Sequence, residues 1–138
     1  GAVVERITFP DVCEDAITAN RADRLIIRNC YFRGAADKVI QLNSGRDILI
    51  ENCVFEDSQT SIRVKGDVTV TIRNCQARRV KYFVFADGAS KVVLEGNRVE
   101  ESENALRLGG QAKASEKGNT FLGLREPFRI DGEAKLSR

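Results

Sequence analysis

Short runs of alternating apolar and polar residues recur along the chain at a nearly fixed interval. The segments RITF, NCYF, NCVF, NCQA, GNRV and GNTF end at positions 9, 32, 55, 77, 99 and 121, in steps of 23, 23, 22, 22 and 22 residues. Each unit contains three such runs separated by turn residues, and helical periodicity is absent. A repeat of three short strands is typical of a parallel β-helix, in which each coil pairs its strands with the coils above and below it.

The pattern therefore predicts an all-β, right-handed parallel β-helix of about six coils, which occupies residues 1–138 as a single domain. Stacking places equivalent residues of successive coils about 4.8 Å apart, so that columns of side chains follow from the repeat. Two columns are apolar and predict the core: Ile17, Ile40, Ile62, Val84, Leu106 and Phe128 form one, and Ile27, Ile50, Ile72 and Leu94 form the other. Glu116 continues the second column, which predicts that this face frays between residues 112 and 118.

Two further columns lie at one corner of the coil. The first is an asparagine column, whose stacked amides are predicted to hydrogen-bond along the axis and to satisfy the turn: Asn29, Asn52 and Asn74. The next contains three cysteines, Cys30, Cys53 and Cys75. Three thiols in register cannot all pair, which favours a buried thiol column over a disulfide, redox or metal site. Cys13 lies outside it, either as a packed thiol or as half of a bridge whose partner this sequence lacks.

Composition narrows the chemistry that the chain can perform. It contains no His, which excludes catalytic triads that use imidazole and zinc sites that use His. Lys and Arg total 22 and Asp and Glu total 20, and the resulting net charge of +2 does not favour a dedicated nucleic-acid-binding protein. No apolar run reaches the roughly 18 residues of a transmembrane helix, and the start GAVVERITF lacks the pattern of a signal peptide.

Neither end of the repeat has a visible capping element. An open β-helix end exposes unpaired strand edges and an apolar cross-section. We therefore expect either further coils beyond this chain or end-to-end association with a second copy or a partner.

One corner is longer in the first two coils than in the later ones. Eight positions separate Phe9 from Ile17 and Phe32 from Ile40, against seven in the later coils. The extra length coincides with acidic residues that stacking would bring together on the outer surface, namely Glu14, Asp15 and Asp37. Calcium, with its oxygen ligands, suits three carboxylates better than a transition metal does. An ordinary acidic corner, offset by Lys38 and solvent, is the alternative.

A basic column runs along the outer surface beside this corner. It contains Thr18, Gln41, Arg63, Phe85, Arg107 and Arg129, and it is joined from the fourth corner by Arg78, Arg79 and Lys81. Guanidinium groups that repeat from coil to coil suit an extended polyanion with a charge on each unit. A solvated face, on which these cations pair with acidic residues such as Glu100, Glu101 and Glu103, explains the pattern as well. Phe85 suits either stacking on a sugar or packing between coils.

Two segments in the first coils are similar to motifs of a known family. DVCEDAIT at 11–18 and GAADKVIQLNSG at 34–45 resemble the pectate lyases of polysaccharide lyase family 3, which are small, secreted, calcium-dependent β-helix enzymes. The resemblance covers roughly residues 4–65, and beyond Gly66 only the coil period matches. The Lys-x-x-Arg element of the family corresponds to TSIR, with Thr60 in place of lysine. The upstream coils of the family, one of which supplies an aspartate to the metal, have no counterpart here.

The resemblance implies that Glu14, Asp15 and Asp37 bind calcium and that Lys38 and Arg63 face a uronate. In β-elimination, the C5 proton of galacturonate is removed once the neighbouring carboxylate is neutralised. Lys38 is then the base and Arg63 the carboxylate clamp, or the two roles are exchanged. The expected substrate-binding residues are Gln41, Arg78, Arg79, Lys81, Phe85, Arg107 and Arg129.

The function expected from the sequence is therefore calcium-assisted cleavage of an acidic polysaccharide, such as polygalacturonate, by a secreted or extracellular protein. The alternative is a non-catalytic β-helix that binds carbohydrate or self-assembles. It is motivated by the missing aspartate ligand, by Thr60 and by the uncapped first coil.

Overall fold

The structure, a computed structural model, describes residues 1–34 and 37–138. These residues form nineteen β-strands and no helix. The strands are β1 (Val3–Glu5), β2 (Thr8–Phe9), β3 (Ile17–Ala19), β4 (Ile26–Arg28), β5 (Tyr31–Arg33), β6 (Lys38–Leu42), β7 (Gly45–Glu51), β8 (Val54–Glu56), β9 (Thr60–Val64), β10 (Val68–Arg73), β11 (Gln76–Arg78), β12 (Tyr82–Ala86), β13 (Lys91–Glu95), β14 (Arg98–Glu100), β15 (Asn104–Leu108), β16 (Lys113–Lys117), β17 (Thr120–Leu122), β18 (Phe128–Ile130) and β19 (Lys135–Ser137).

Every third strand joins the same parallel sheet. Sheet 1 has the order β1-β4-β7-β10-β13-β16-β19, sheet 2 the order β2-β5-β8-β11-β14-β17, and sheet 3 the order β3-β6-β9-β12-β15-β18. The chain therefore winds through the three sheets once per coil, which confirms the predicted parallel β-helix of about six coils. Within the described residues, no helix is long and apolar enough to cross a membrane.

The two predicted apolar columns lie in register inside the coils. Ile40 pairs with Ile62 in sheet 3 and Ile50 with Ile72 in sheet 1, and all four side chains are fully buried. Aromatic residues add a third column in sheet 2, where the rings of Phe9, Phe32 and Phe55 stack with centroids 4.9 and 5.1 Å apart. Burial of these columns removes most of the large apolar side chains from water, which is the main driving force for the fold.

The strands of sheet 3 depart from simple alternation. In β12, Phe83 and Val84 both point into the core, and the ring of Phe83 packs edge-on against Phe55 at 6.0 Å. The residues beside Phe83 on the flanking strands are the smaller Ser61 and Ala105, which leave room for its ring. Because two consecutive residues of β12 point inward, the residue before them, Tyr82, lies on the opposite face of the strand.

The predicted fraying near residues 112–118 is wrong. Strand β16 spans Lys113–Lys117 and pairs with both β13 and β19. Glu116 does take the inward position opposite Leu94, and its side chain is only 8% exposed. Its carboxylate accepts hydrogen bonds from Asn119 Nδ2 at 3.0 Å and Arg138 Nε at 3.2 Å. Because a buried carboxylate with two donors is satisfied, the strand tolerates it.

The asparagine column has a conformational role. Asn29, Asn52 and Asn74 have φ angles of 54°, 51° and 52°, in the left-handed region that Asn tolerates better than most residues. All three are exposed, and within the described chain their side chains make no hydrogen bond. The predicted hydrogen bonding between their amides is therefore wrong. The turn requires the left-handed backbone conformation of these residues and does not use their side chains.

The cysteine column is buried and unpaired, as predicted. Each thiol donates to a backbone carbonyl of the preceding coil, as in the contact of 3.7 Å between Cys53 Sγ and the carbonyl of Ile27. Two asparagines continue the column and make the equivalent contact, since Asn97 Nδ2 donates to the carbonyl of Ile72 at 2.9 Å. The thiols and the amides therefore have the same role: each donates a hydrogen bond to a backbone carbonyl at a corner of the coil.

Among the described residues, the large apolar side chains that are exposed lie in the first and last coils: Val3, Ile7, Leu122 and Ile130. End-to-end association through these surfaces stays a prediction.

The burial of three thiols generates a labelling prediction. Burial raises the pKa of Cys30, and the hydrogen bond with Cys53, together with burial, raises the pKa of Cys75, whereas the same hydrogen bond lowers the pKa of Cys53. Because a reagent must reach the sulfur as well as find it ionised, and all three thiols are buried, we expect a thiol-specific reagent to label only the exposed Cys13 in the native protein and all four cysteines after denaturation. The Cys13→Ser variant should show no native labelling, and rapid labelling of a second native thiol would contradict the thiol column.

Candidate functional site

The acidic corner lies where the first two coils approach each other closely. Glu14 and Asp15 lie between β2 and β3, and Asp37 immediately precedes β6. Val12 is buried, and its backbone N–H donates to the carbonyl of Arg33 at 2.9 Å. A Cβ on Gly34 would lie 2.6 Å from the nitrogen of Val12, so only glycine permits this approach. The second lengthened corner also includes residues 35 and 36, which lie outside the described residues.

The carboxylates of this corner contact groups of the protein itself. Asp15 Oδ2 accepts a hydrogen bond of 3.3 Å from Thr18 Oγ1, and Asp37 Oδ2 lies 3.5 Å from Lys38 Nζ. In residues 1–34 and 37–138, no three His, Cys, Asp or Glu side chains are close enough together to hold a metal ion. The described arrangement therefore does not bring Glu14, Asp15 and Asp37 together as one group, and calcium binding by these residues stays a prediction.

The outward face of sheet 3 carries the predicted basic column. The strand register places its members on successive strands in the expected order, Thr18, Gln41, Arg63, Phe85, Arg107 and Arg129. A second column on the same strands contains Lys38, Thr60, Tyr82 and Asn104, of which Thr60, Tyr82 and Asn104 are buried by their neighbours. Lys38 and Arg63 thus lie on the same face of adjacent strands, three positions apart along the strand direction.

Arg63 is committed to contacts within the protein. Its side chain is 12% exposed, and its guanidinium carbon lies 3.9 Å from the centroid of the Phe85 ring. Nη1 donates to the carbonyls of Val64 and Phe85 at 3.0 and 3.2 Å, and Nη2 donates to Asp87 Oδ2 at 2.7 Å. A substrate carboxylate would have to displace Asp87, so the geometry favours a role for Arg63 in joining β9 to β12.

Phe85 has no free ring face for a sugar. Arg63 covers one face, and the guanidinium carbon of Arg107 lies 4.4 Å from the same centroid. Because β9 and β15 flank β12 on opposite sides, the ring lies between the two cations. The expected sugar stacking is not available in this arrangement, and Phe85 serves as a cation–π support.

Arg107 is held by aromatic groups. Its Nη1 donates to Tyr82 Oη at 3.0 Å, and its guanidinium carbon lies 5.2 Å from the centroid of the Tyr82 ring. Among the described residues, no carboxylate lies within 4 Å of it. Arg107 is therefore a positioned cation beside which the described residues place no carboxylate.

Sequence reasoning missed Tyr82, which completes this cluster. The Tyr82 ring packs edge-on against the Phe85 ring, with centroids 5.6 Å apart. Lys81 Nζ lies 5.4 Å from the centroid of the Tyr82 ring. A strictly alternating strand would place Tyr82 in the core with Val84, but the additional inward residue Phe83 shifts Tyr82 to the other face, where Phe85 and Arg107 cover its ring and leave it 7% exposed. We name Lys81, Tyr82, Phe85 and Arg107 the cation-aromatic patch.

The remaining predicted binding residues have partners of their own. Arg79 Nε lies 2.6 Å from Asp57 Oδ1, Arg78 lies 3.5 Å from Glu101, and Arg129 lies 3.5 Å from Asp131. Gln41 Nε2 donates to Asn43 Oδ1 at 2.8 Å, while the described residues offer no partner to its buried Oε1. A solvated, paired surface is the better description of Arg78 and Arg79.

The Asp57–Arg79 pair generates a prediction about pH. The hydrogen bond from Arg79 holds the pKa of the Asp57 carboxyl below its ordinary value. A lowered folded-state pKa contributes stability that is complete above the unfolded-state pKa, about 4, and that is lost as the pH falls through the folded-state value. We expect Asp57→Asn to lower the free energy of unfolding at neutral pH, and we expect this difference to shrink as the pH falls below about 4.

Urea denaturation at neutral and acidic pH measures this difference. The control is Asp131→Asn, which removes a half-exposed carboxylate 3.5 Å from Arg129 and should cost less stability. An effect of Asp57→Asn that is equally large at both pH values would contradict the ion-pair contribution.

The strands that carry this surface lie within a region that matches a known protein family. A family model described as a right-handed beta helix region matches residues 15–127. The match covers most of the chain and includes every member of the cation-aromatic patch.

Proposed function

The chain belongs to the right-handed β-helix family, and on that premise we propose that it binds an extended acidic polysaccharide along the outward face of sheet 3. The fold is consistent with pectate lyase-like and other carbohydrate-related proteins. The observation that carries the proposal is Arg107, a cation fixed by Tyr82 and Phe85 without a carboxylate beside it in the described chain.

The chemistry of Arg107 suits a uronate. A guanidinium presents planar, parallel donors that match a carboxylate, and a side chain already held in place loses little further entropy on binding. Two aromatic rings hold Arg107 from within the protein, and among the described residues the one side-chain hydrogen bond of Arg107 runs from Nη1 to Tyr82 Oη. Its other donors therefore remain for a ligand carboxylate.

Neighbouring cations extend this site along the coil axis. Arg129 follows Arg107 in register, and its contact with Asp131 at 3.5 Å joins two half-exposed side chains, so that it is weak. Lys81 is exposed at the edge of the patch. An anionic chain that runs across successive coils meets these charges in turn, which favours a polymer over a single small anion.

Pectate lyase-like β-elimination is the second candidate function. It is favoured by Lys38, which lies on the same face as Arg63 and belongs to the motif that resembles polysaccharide lyase family 3. A neutral Lys38 would take the C5 proton of a uronate, and the C–H electron pair would form a double bond as the 4-O-linked sugar leaves. Arg63 would have to exchange Asp87 for the substrate carboxylate.

Calcium, and a location outside the cell, belong to this second candidate. The implied ligands, Glu14, Asp15 and Asp37, would have to move together before they held the ion, because no such group exists among the described residues. A polyuronate substrate would place the protein where such polymers occur, in the extracellular space. Binding along sheet 3 requires neither the ion nor the elimination.

Binding is tested with Arg107→Gln. We expect the wild-type chain to bind polygalacturonate in isothermal titration calorimetry, and we expect the variant to bind about ten times more weakly, because a charged hydrogen bond is lost. Arg98→Gln removes the same charge from sheet 2, where Arg98 contacts Glu100, and should leave the affinity unchanged. Equal weakening by both substitutions, or equal binding of fully methyl-esterified polymer, would contradict the proposal.

Elimination is tested by the ultraviolet absorbance of the unsaturated product. The lyase candidate requires product formation from polygalacturonate that depends on added calcium, stops with a chelator and is lost in Lys38→Ala. Binding without any product, in protein whose fold is verified by circular dichroism, would exclude the lyase and retain the binding function.

A further inference from the structure

A column of three lysines lies on sheet 1, outside the site of the proposed function. Lys91, Lys113 and Lys135 begin β13, β16 and β19, and the strand register pairs each directly with the next. All three are exposed. Together with Gln111 and Glu133 they line a concave surface with a volume of about 700 Å³.

Another column of the same sheet shows how this fold normally arranges charge. Its residues alternate in sign from coil to coil, in the order Glu5, Arg28, Glu51, Arg73, Glu95 and Lys117. Direct contacts follow, since Arg28 Nε lies 2.8 Å from Glu5 and Arg73 Nε lies 2.8 Å from Glu51. Opposite charges on adjacent strands stabilise a sheet, whereas like charges destabilise it.

The lysine column lacks this compensation. Within the described part of the chain, no carboxylate oxygen lies within 4 Å of any of the three ammonium groups. Glu133, the acidic residue of the concave surface, instead accepts a hydrogen bond of 3.5 Å from Gln111 Nε2. Three cations on adjacent strands, whose backbones lie about 4.8 Å apart, therefore repel one another.

We propose that the lysine column is a second binding strip for an acidic polysaccharide, which lies along the coil axis with one uronate carboxylate at each lysine. This inference rests on the proposed function for the class of ligand, but it names a separate surface. A uronate chain carries one carboxylate on each ring, and a ring is close in length to the spacing of the strands. The ligand thus neutralises three repelling charges at once.

The strip differs in chemistry from the cation-aromatic patch. The outward residues that follow the lysines along their strands are Val93, Ser115 and Ser137, with no aromatic ring among them. Recognition here rests on exposed ammonium groups, which are screened strongly by salt. Affinity at the strip therefore falls steeply with ionic strength, whereas the aromatic support of Arg107 makes the patch less sensitive.

The decisive experiment compares two triple variants that remove equal charge. One is Lys91→Gln with Lys113→Gln and Lys135→Gln, and the other is Arg6→Gln with Arg21→Gln and Arg24→Gln, all exposed in the first coil. Titration calorimetry with galacturonate monomer, dimer, trimer and hexamer, at low and high salt, gives the affinities. We expect the wild-type chain to bind trimer and hexamer at two sites at low salt and the lysine variant to bind them at one. We expect the arginine variant to keep the wild-type stoichiometry and to bind within about twofold of wild type.

Stability supplies an independent readout. Lys113→Gln removes the central charge, so we expect its melting temperature to exceed that of wild type by about 2 °C at low salt and to equal it at high salt. The hexamer should raise the melting temperature of wild type more than that of the lysine variant. A Lys113→Gln protein no more stable than wild type at low salt would overturn the repulsion on which the strip depends.

The outcomes separate this inference from the proposed function. Equal hexamer binding by the lysine variant and wild type, with weakened binding by Arg107→Gln, would overturn the strip and leave the patch. Loss of binding in the lysine variant alone would support the strip and contradict the patch. A wild-type chain that binds no galacturonate oligomer would overturn both, and equal affinity for inorganic polyphosphate at the lysine column would overturn the commitment to a polysaccharide.

Discussion

Parallel hydrogen bonding between successive coils is the constraint on which the rest of this structure depends. It places each residue beside its equivalent in the neighbouring coils, at a distance of about 4.8 Å, so that every choice of side chain is repeated along a column. Apolar and aromatic residues gain from this repetition, as in the stacked rings of Phe32 and Phe55. Charged residues lose from it unless their signs alternate, as they do between Arg28 and Glu51.

The same constraint determines what each corner requires. A tight turn needs a left-handed residue, which Asn52 and its column neighbours supply through their backbone. The adjacent column must offer a donor to a carbonyl of the preceding coil, and both Cys53 and Asn97 do so. Buried thiols in this fold therefore act as donors and small apolar groups, and they need no redox or metal-binding role.

The functional surfaces follow from how each cation is matched. Arg63 donates its hydrogen bonds to Asp87 and to backbone carbonyls, and these contacts link neighbouring coils. Arg107 lies two coils further along the same column, yet it is held by rings and retains donors. Lys113 lies between two further lysines, and its charge is not offset within the described chain. The charges that remain without a carboxylate in the described chain are the basis of the proposal that an extended anionic ligand lies along the coil axis.

The amino-acid sequence by itself determined the period, the parallel β-helix and the membership of each apolar and basic column, because a repeat of fixed length specifies which residues stack. The resemblance of residues 4–65 to polysaccharide lyase family 3 further implied that Lys38 and Arg63 face the same side, and the strand register agrees with this. Only the tertiary structure decided that Tyr82 points outward, that the strand around Glu116 persists, and that Arg63 is bound by Asp87. These outcomes depend on local departures from alternation and on side-chain contacts between coils, which the repeat period does not specify. The repeat period determines which residues share a column. The side-chain conformations and the neighbouring residues determine which charged groups have a partner of opposite charge.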